Sequence, residues 1–150
     1  MIDHQKYMRE ARIAAQHSPC KRRKVGCVLV PKIGPAIIEY NSPMHTCVYC
    51  NRQTYASGEG LELCRAIHAE VACIARAAFS GIETRNAILY TSSIIPCKNC
   101  MLALIWAGVH MICVADMQDY DDYGRRMAAD ADIFIQEVRR DAKEIISGKV

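Results

Sequence analysis

The stretch that decides the fold is NAILYTSSIIPCKNCMLALIWAGVHMICVAD, residues 86–116. Residues 86–92 and 109–116 are short apolar runs, which predicts two buried strands. Between them, Pro96 precedes a helical stretch over 97–108 that ends in glycine. A strand, a helix and a second strand in this order form a crossover, which favours parallel pairing of the two strands.

The flanking segments extend this alternation of helices and strands. Residues 25–30 (VGCVLV) and 36–40 (AIIEY) are apolar runs joined by a Pro/Gly turn, which predicts an antiparallel hairpin. Helical spacing predicts a first helix over 3–16, and good helix formers predict another over 68–79. Residues 124–138 predict a short helix followed by a last strand or helix start. We therefore expect an α/β fold, a three-layer α/β/α domain around a mixed sheet of five strands.

Size and composition fit one globular domain over residues 1–150. The chain has 150 residues, of which 51% are hydrophobic and 23% charged, which argues against disorder. The formal net charge is only +3, but residues 1–24 carry seven basic and two acidic side chains. This basic end is suited to an anion.

The cysteine content points to a reducing compartment and to metal binding. Nine cysteines cannot all pair within one chain, and the opening residues MIDHQKYMRE do not resemble a signal peptide. No apolar run reaches membrane-spanning length, so no membrane partner is expected. We expect a cytoplasmic protein in which clustered cysteines bind metal.

The strongest motif consists of His68-Ala69-Glu70 and Pro96-Cys97-Lys98-Asn99-Cys100. Two cysteines three residues apart lie on one face of a helix, and a helix N-terminus favours their thiolate forms. One imidazole completes three ligands, and zinc with three protein ligands is typical of a catalytic site. The alternatives are a structural zinc knuckle or a set of buried thiols. Because residues two apart diverge in a helix interior, we expect His68 in the first turn of its helix.

The motif H-x-E…P-C-x-x-C is typical of zinc-dependent nucleobase deaminases. The sequence resembles the cytidine deaminase-like superfamily, most closely the deoxycytidylate (dCMP) deaminases, over roughly residues 5–135. The segments RRKVGCVLV, EYNSP, SGEGLELCRAIHAEVACI and LYTSSIIPCKNCMLALIWAGV stand in family order.

This resemblance implies a hydrolase that deaminates a free cytosine nucleotide, dCMP and water giving dUMP and ammonia. It implies one catalytic zinc per chain, held by His68, Cys97 and Cys100. Glu70 would move protons between water, the pyrimidine N3 and the departing ammonia.

The resemblance also implies residues that bind the substrate. Asn41 in Tyr40-Asn41-Ser42-Pro43 would contact substrate, the alternative being a turn Asn that bonds its own backbone. Within Lys21–Lys24, a 5′-phosphate would meet Arg22, Arg23 and Lys24, the alternative being a solvated basic loop.

Two further positions complete the implied nucleotide pocket. Tyr120 would line it, with Tyr123 as the alternative aromatic residue, and Ala69 would lie against the substrate.

A second set of cysteines lies outside this motif. Four thiolates would form a closed, structural zinc site that fastens the irregular segment from residue 41 to about 63. His45 competes with Cys20 for one ligand position, and the alternative is two or three free thiols beside a disordered loop. The four cysteines of this site are Cys20, Cys47, Cys50 and Cys64.

Two other functions fit the sequence less well than dCMP deamination does. A deaminase acting on a base in tRNA or single-stranded DNA needs a basic groove and aromatic platforms, whereas only 7% of residues are aromatic and residues 115–150 are acidic. A non-catalytic binding module would have lost Glu70 or a zinc ligand, and neither is lost. Nucleic acid is therefore not the expected partner, and the resemblance implies a homo-oligomer, with a hexamer favoured.

Overall fold

The protein is built on one five-stranded sheet and one small two-stranded sheet, seen in a computed structural model that describes residues 1–43, 50–56 and 58–148. The strands in chain order are β1 (Gly26–Val30), β2 (Ile37–Tyr40), β3 (Ser42–Pro43), β4 (Ala66–Ile67), β5 (Ile88–Thr91), β6 (Met111–Val114) and β7 (Phe134–Glu137).

The first four helices begin and end close to the predicted boundaries, whereas the fifth was not predicted. Asp3 caps the first of them, since its carboxylate accepts the Lys6 N–H. The helices are α1 (His4–Gln16), α2 (Ala69–Ser80), α3 (Lys98–Trp106), α4 (Gly124–Asp130) and α5 (Ala142–Ser147).

The main sheet has the order β2-β1-β5-β6-β7. β1 pairs antiparallel with β2 and with β5, whereas β5, β6 and β7 pair in parallel. The predicted hairpin and the predicted parallel crossover over 86–116 are thus both present. The expectation of a mixed five-stranded sheet is confirmed.

Alternation along the strands separates two cores, one on each face of the sheet. Leu29, Leu89 and Ile112 pack into the core that also contains α2, α3 and α4 side chains. Their strand neighbours, such as Val28 and Tyr90, face the opposite core with residues of α1. The sheet therefore lies between two helical layers, as the three-layer prediction requires.

The segment after β2 has more structure than the sequence indicates. Residues 41–63 were expected to be irregular, but β3 pairs antiparallel with β4, and a short 3-10 helix spans Leu61–Leu63. Elements of two or three residues are too short to show a hydrophobic period, which is why the sequence does not reveal them.

A buried ion pair connects the two ends of the chain. The Arg12 guanidinium donates to the Glu144 carboxylate at 2.9 Å and to the Val138 carbonyl oxygen at 3.0 Å. Both side chains are buried, at 7% and 5% exposure. Because either charge alone would be costly in this environment, the pair holds α5 against α1.

In the part of the chain that the structure describes, no helix combines the length and apolar character needed to cross a membrane. A single domain over residues 1–150 stays a prediction.

The contact of α1 with β1 depends on a glycine. A Cβ atom on Gly26 would overlap the Ala11 carbonyl oxygen and the Ala15 backbone nitrogen, and would lie 2.9 Å from the Ala14 Cβ. Two of these neighbours are helix backbone, so the helix itself would have to move. Gly26 therefore sets the distance between α1 and the sheet.

Gly26→Ala is expected to lower the free energy of unfolding by about 1–3 kcal/mol, because the added methyl group forces α1 away from β1. Chemical denaturation measures the change, with Ser80→Ala at the exposed end of α2 as the control. Equal stability of the Gly26→Ala variant and the wild type would contradict the close contact.

Candidate functional site

The N-termini of two helices bring three metal-ligating side chains together. His68 caps α2 and Cys97 caps α3, while Cys100 lies in the first turn of α3. His68 Nδ1 lies 3.2 Å from Cys100 Sγ and 3.6 Å from Cys97 Sγ. All three donor atoms lie within 4.8 Å of one another, and no other group of this kind occurs among the described residues.

The separations between these donors fit a zinc ion. Bond lengths of about 2.3 Å to sulfur and about 2.0 Å to nitrogen place tetrahedral donors about 3.6–3.8 Å apart. The two nitrogen–sulfur distances of 3.2 and 3.6 Å are close to this spacing. Sulfur and imidazole are also the donor types that zinc prefers. The set therefore suits zinc, with three ligands rather than the closed four of a structural site.

Hydrogen bonds among the donors favour a thiolate at Cys97. Hydrogen bonds from the Cys100 thiol and from His68 together lower the pKa of Cys97 to about 4, against the opposing effect of burial. The same interaction raises the pKa of Cys100. A hydrogen bond with Cys97 raises the pKa of His68.

Glu70 is the carboxylate of the site. It is the second residue of α2 and only 6% exposed, and its Oε2 lies 3.7 Å from Cys100 Sγ. Burial raises the pKa of this carboxyl group. His68 was expected in the first turn; it lies one residue earlier, at the cap, where its side chain and that of Glu70 turn to the same site.

His68, Glu70 and Cys97 line a cavity of about 740 Å³, with Cys100 buried behind them. Ala69, which is fully buried, forms part of its wall, and so does Tyr120, which is 43% exposed. Tyr123 is not in the lining; its ring instead lies 5.2 Å from the Lys98 Nζ. Of the two aromatic alternatives, the structure brings Tyr120 to the cavity.

Asn41 also borders the cavity, but its side chain is already engaged. Its Oδ1 accepts from the Ser18 hydroxyl at 2.7 Å and the Val25 N–H at 2.8 Å. Its Nδ2 donates to the Arg23 carbonyl oxygen at 2.7 Å. Asn41 therefore fixes the basic segment before β1, a positioning role beside the predicted substrate contact.

The predicted phosphate-binding residues divide into two groups. Lys21, Arg22 and Arg23 line the cavity and are exposed. The Arg23 Nη2 donates to the Ser93 hydroxyl at 2.7 Å. Lys24 is exposed too but is not part of the lining, so the structure does not bring it to the cavity.

The second cysteine set is described only in part. Cys20 and Cys64 line the same cavity, but Cys20, Cys50 and Cys64 do not form a close donor group in the described ranges. Cys47 and its competitor His45 lie outside the described residues.

Asp121 is a residue of the cavity wall that the sequence analysis did not identify. Its carboxylate accepts the Lys98 N–H at 2.7 Å and the Tyr123 and Gly124 N–H groups at 3.0 Å. Burial acts to raise the pKa of Asp121, but the three N–H groups bring it below its ordinary value. An aspartate just before α4 is typical of a helix cap, so the bonds to Tyr123 and Gly124 could be predicted from the sequence. The bond to Lys98 at the start of α3 could not, because the two residues are distant in the sequence.

Comparisons with known proteins find a matching family model, similar sequences and a similar solved structure. A family model for the cytidine and deoxycytidylate deaminase zinc-binding region matches residues 1–116. Deoxycytidylate deaminase of Saccharomyces cerevisiae is 26% identical over 136 residues, covering 87% of this chain and 43% of that protein. The Schizosaccharomyces pombe enzyme of the same name is 30% identical over 110 residues, covering 69% of this chain and 34% of that protein. The chain thus spans less than half the length of these relatives.

A solved structure shares the fold. It is the dCMP deaminase of cyanophage S-TIM5 in complex with dCMP and dUMP, with a TM-score of 0.76 and 20% identity. The match covers 92% of this chain and 100% of the other.

Asp121→Ala is expected to weaken zinc binding about 10- to 100-fold, because the start of α3 loses the acceptor that holds it. Competition with a chromogenic chelator measures the zinc dissociation constant. Asp122→Ala, at the exposed neighbouring position, is the matched control and should bind zinc like the wild type. Equal zinc affinity of the two variants would exclude this role.

Proposed function

Because the chain belongs to the cytidine and deoxycytidylate deaminase zinc-binding family, we propose that it is a zinc-dependent hydrolase converting dCMP and water to dUMP and ammonia. The names of the two yeast relatives, and the dCMP and dUMP bound by the cyanophage enzyme, support this choice of substrate. The observation that carries the proposal is the buried Glu70 carboxylate, which lies beside the Cys100 sulfur and lines one cavity together with His68 and Cys97.

His68, Cys97 and Cys100 would hold the zinc ion. Two thiolates and a neutral imidazole balance its double positive charge, which suits a partly buried site. Bound zinc supplies the Lewis acidity that makes water nucleophilic near neutral pH.

Glu70 is the proton carrier in this proposal. The carboxylate takes a proton from the attacking water and gives it to N3 of the pyrimidine, while the water oxygen bonds to C4. Glu70 then moves the second water proton to the amino group, the C4–N bond breaks, and ammonia leaves. Its burial excludes bulk water from these transfers and fixes the carboxylate beside Cys100.

The cavity can accept a whole nucleotide. Its volume of about 740 Å³ falls in the range of about 300–1,000 Å³ that is usual for small-molecule sites. Arg22 and Arg23 would contribute positive charge to phosphate binding, while the predicted contact with Lys24 has no support from the cavity lining. Asn41, Ala69 and Tyr120 would contact the nucleoside.

A deaminase acting on tRNA or single-stranded DNA is not favoured, since the named relatives act on a nucleotide. We also propose a cytoplasmic homo-oligomer, with a hexamer favoured. All eight described cysteines are free thiols, which suits a reducing compartment. The exposed Phe79 and Trp106, at 85% and 87%, offer apolar contact area on the layer of α2 and α3.

We further propose a second, structural zinc, held by Cys47, Cys50, Cys64 and either Cys20 or His45. The support is the sequence pattern, together with the position of Cys20 and Cys64 on the same cavity wall. Such a zinc would order the segment between β3 and β4, which offers few buried apolar side chains among its described residues.

Glu70→Gln is expected to lower kcat for dCMP by about 10²–10⁴-fold, because the amide has the same shape but cannot carry the proton. Ammonia release measures turnover, and zinc content should stay equal to that of the wild type. Glu83→Gln, an exposed acid outside the cavity, should leave kcat unchanged. Near-normal turnover of Glu70→Gln would remove Glu70 from the mechanism.

Metal analysis of the purified chain should find two zinc ions per chain. Cys64→Ser should lose one zinc and keep the other, whereas Cys97→Ser should lose the catalytic zinc together with activity. Cys113→Ala, a buried thiol on the α1 side of the sheet, is the control and should retain both ions. One zinc in the wild type would contradict the structural site alone.

A further inference from the structure

Arg52 is a buried cation on the wall of the cavity. It follows Cys50 in the described segment 50–56, and only 9% of it is exposed. It lines the same cavity as His68 and Glu70. Arginine is rarely buried to this degree without a charged partner.

The polar contacts of Arg52 leave part of its guanidinium unused. Its Nε donates to the Glu59 carbonyl oxygen at 2.9 Å, which is the only hydrogen bond of this side chain among the described residues. None of the ion pairs in the described ranges includes Arg52. An unpaired buried charge is costly, so an anion bound in the cavity would compensate the charge of this guanidinium.

The rest of the lining makes the cavity positive. Among the described residues, five basic side chains border it against two acidic ones, Glu70 and Asp121. The Asp121 carboxylate is occupied by three backbone N–H groups, and Glu70 accepts from the Cys100 thiol. The basic residues of the lining are Lys21, Arg22, Arg23, Arg52 and Lys98.

Burial distinguishes Arg52 from the residues of the basic segment before β1. Lys21, Arg22 and Arg23 are exposed, where water and salt weaken their attraction for an anion. A desolvated guanidinium binds phosphate more strongly, and its planar fork can donate two parallel hydrogen bonds. The largest energetic preference for a phosphate is therefore expected at Arg52.

We propose that Arg52 binds the 5′-phosphate of the substrate through its terminal nitrogens and so makes the enzyme select a nucleotide over a nucleoside. The inference rests on the proposed function and adds a specificity-determining residue to it. The Nε bond to Glu59 positions the side chain and leaves the two terminal nitrogens to donate to the phosphate.

The test compares dCMP with deoxycytidine in the wild type, Arg52→Met, Arg52→Lys and the control Arg126→Met. Arg126 is exposed on α4 and outside the cavity lining. Arg52→Met should lower kcat/KM for dCMP about 10- to 100-fold and leave that for deoxycytidine unchanged. Arg52→Lys should recover part of the loss, because it restores the charge without the fork.

Calorimetric titration with dUMP gives a second readout that does not need turnover. Binding of dUMP should weaken by a similar factor in Arg52→Met and stay normal in Arg126→Met. Thermal unfolding of each variant shows whether the segment around residue 52 remains folded.

Two results would overturn the assignment of Arg52. One is an equal loss for dCMP and deoxycytidine in both Arg52 variants, which indicates that the residue only holds the Glu59 carbonyl group. The other is an unchanged preference for dCMP together with unchanged dUMP binding. Failure of the proposed function would give a different result from failure of the Arg52 assignment, because the wild type would then deaminate neither dCMP nor deoxycytidine.

Discussion

The structure depends on the meeting of two helix N-termini at one place. α2 and α3 each begin with a residue that carries a metal donor, His68 and Cys97, and the turn that follows adds Glu70 and Cys100. Caps and first turns are the positions where side chains of neighbouring residues can converge and where thiolates gain from the helix dipole. The parallel pairing of β5 with β6 places α3 beside α2, so the sheet order creates the site.

Much of this arrangement could be predicted from local pattern. The apolar runs of β1, β5 and β6 and the spacing of Cys97 and Cys100 are properties of short segments. The position of His68 followed from a simple geometric argument and differs by one residue from the structure. Long-range contacts were not accessible in this way, because the bond from Lys98 to Asp121 joins residues 23 positions apart.

The sequence also did not reveal which charged side chains are buried. Arg52 and the residues of the basic segment before β1 carry the same kind of charge, yet Arg52 is 9% exposed and the others lie open to solvent. Asn41 gives a related example, since its amide was expected to face a ligand and also holds the backbone of Arg23 and Val25. One side chain thus connects the wall of the cavity to the basic segment before β1.

The ion pair between Arg12 and Glu144 bears on the stretch of chain beyond residue 116, where the family match ends. Loss of the Glu144 carboxylate alone would leave the buried Arg12 guanidinium without its partner, at a cost of about 3–5 kcal/mol. That is a large part of the roughly 5–15 kcal/mol by which domains of this size are usually stable. The last helix is therefore tied to the first by a single buried ion pair, so the two ends of the chain stabilise each other.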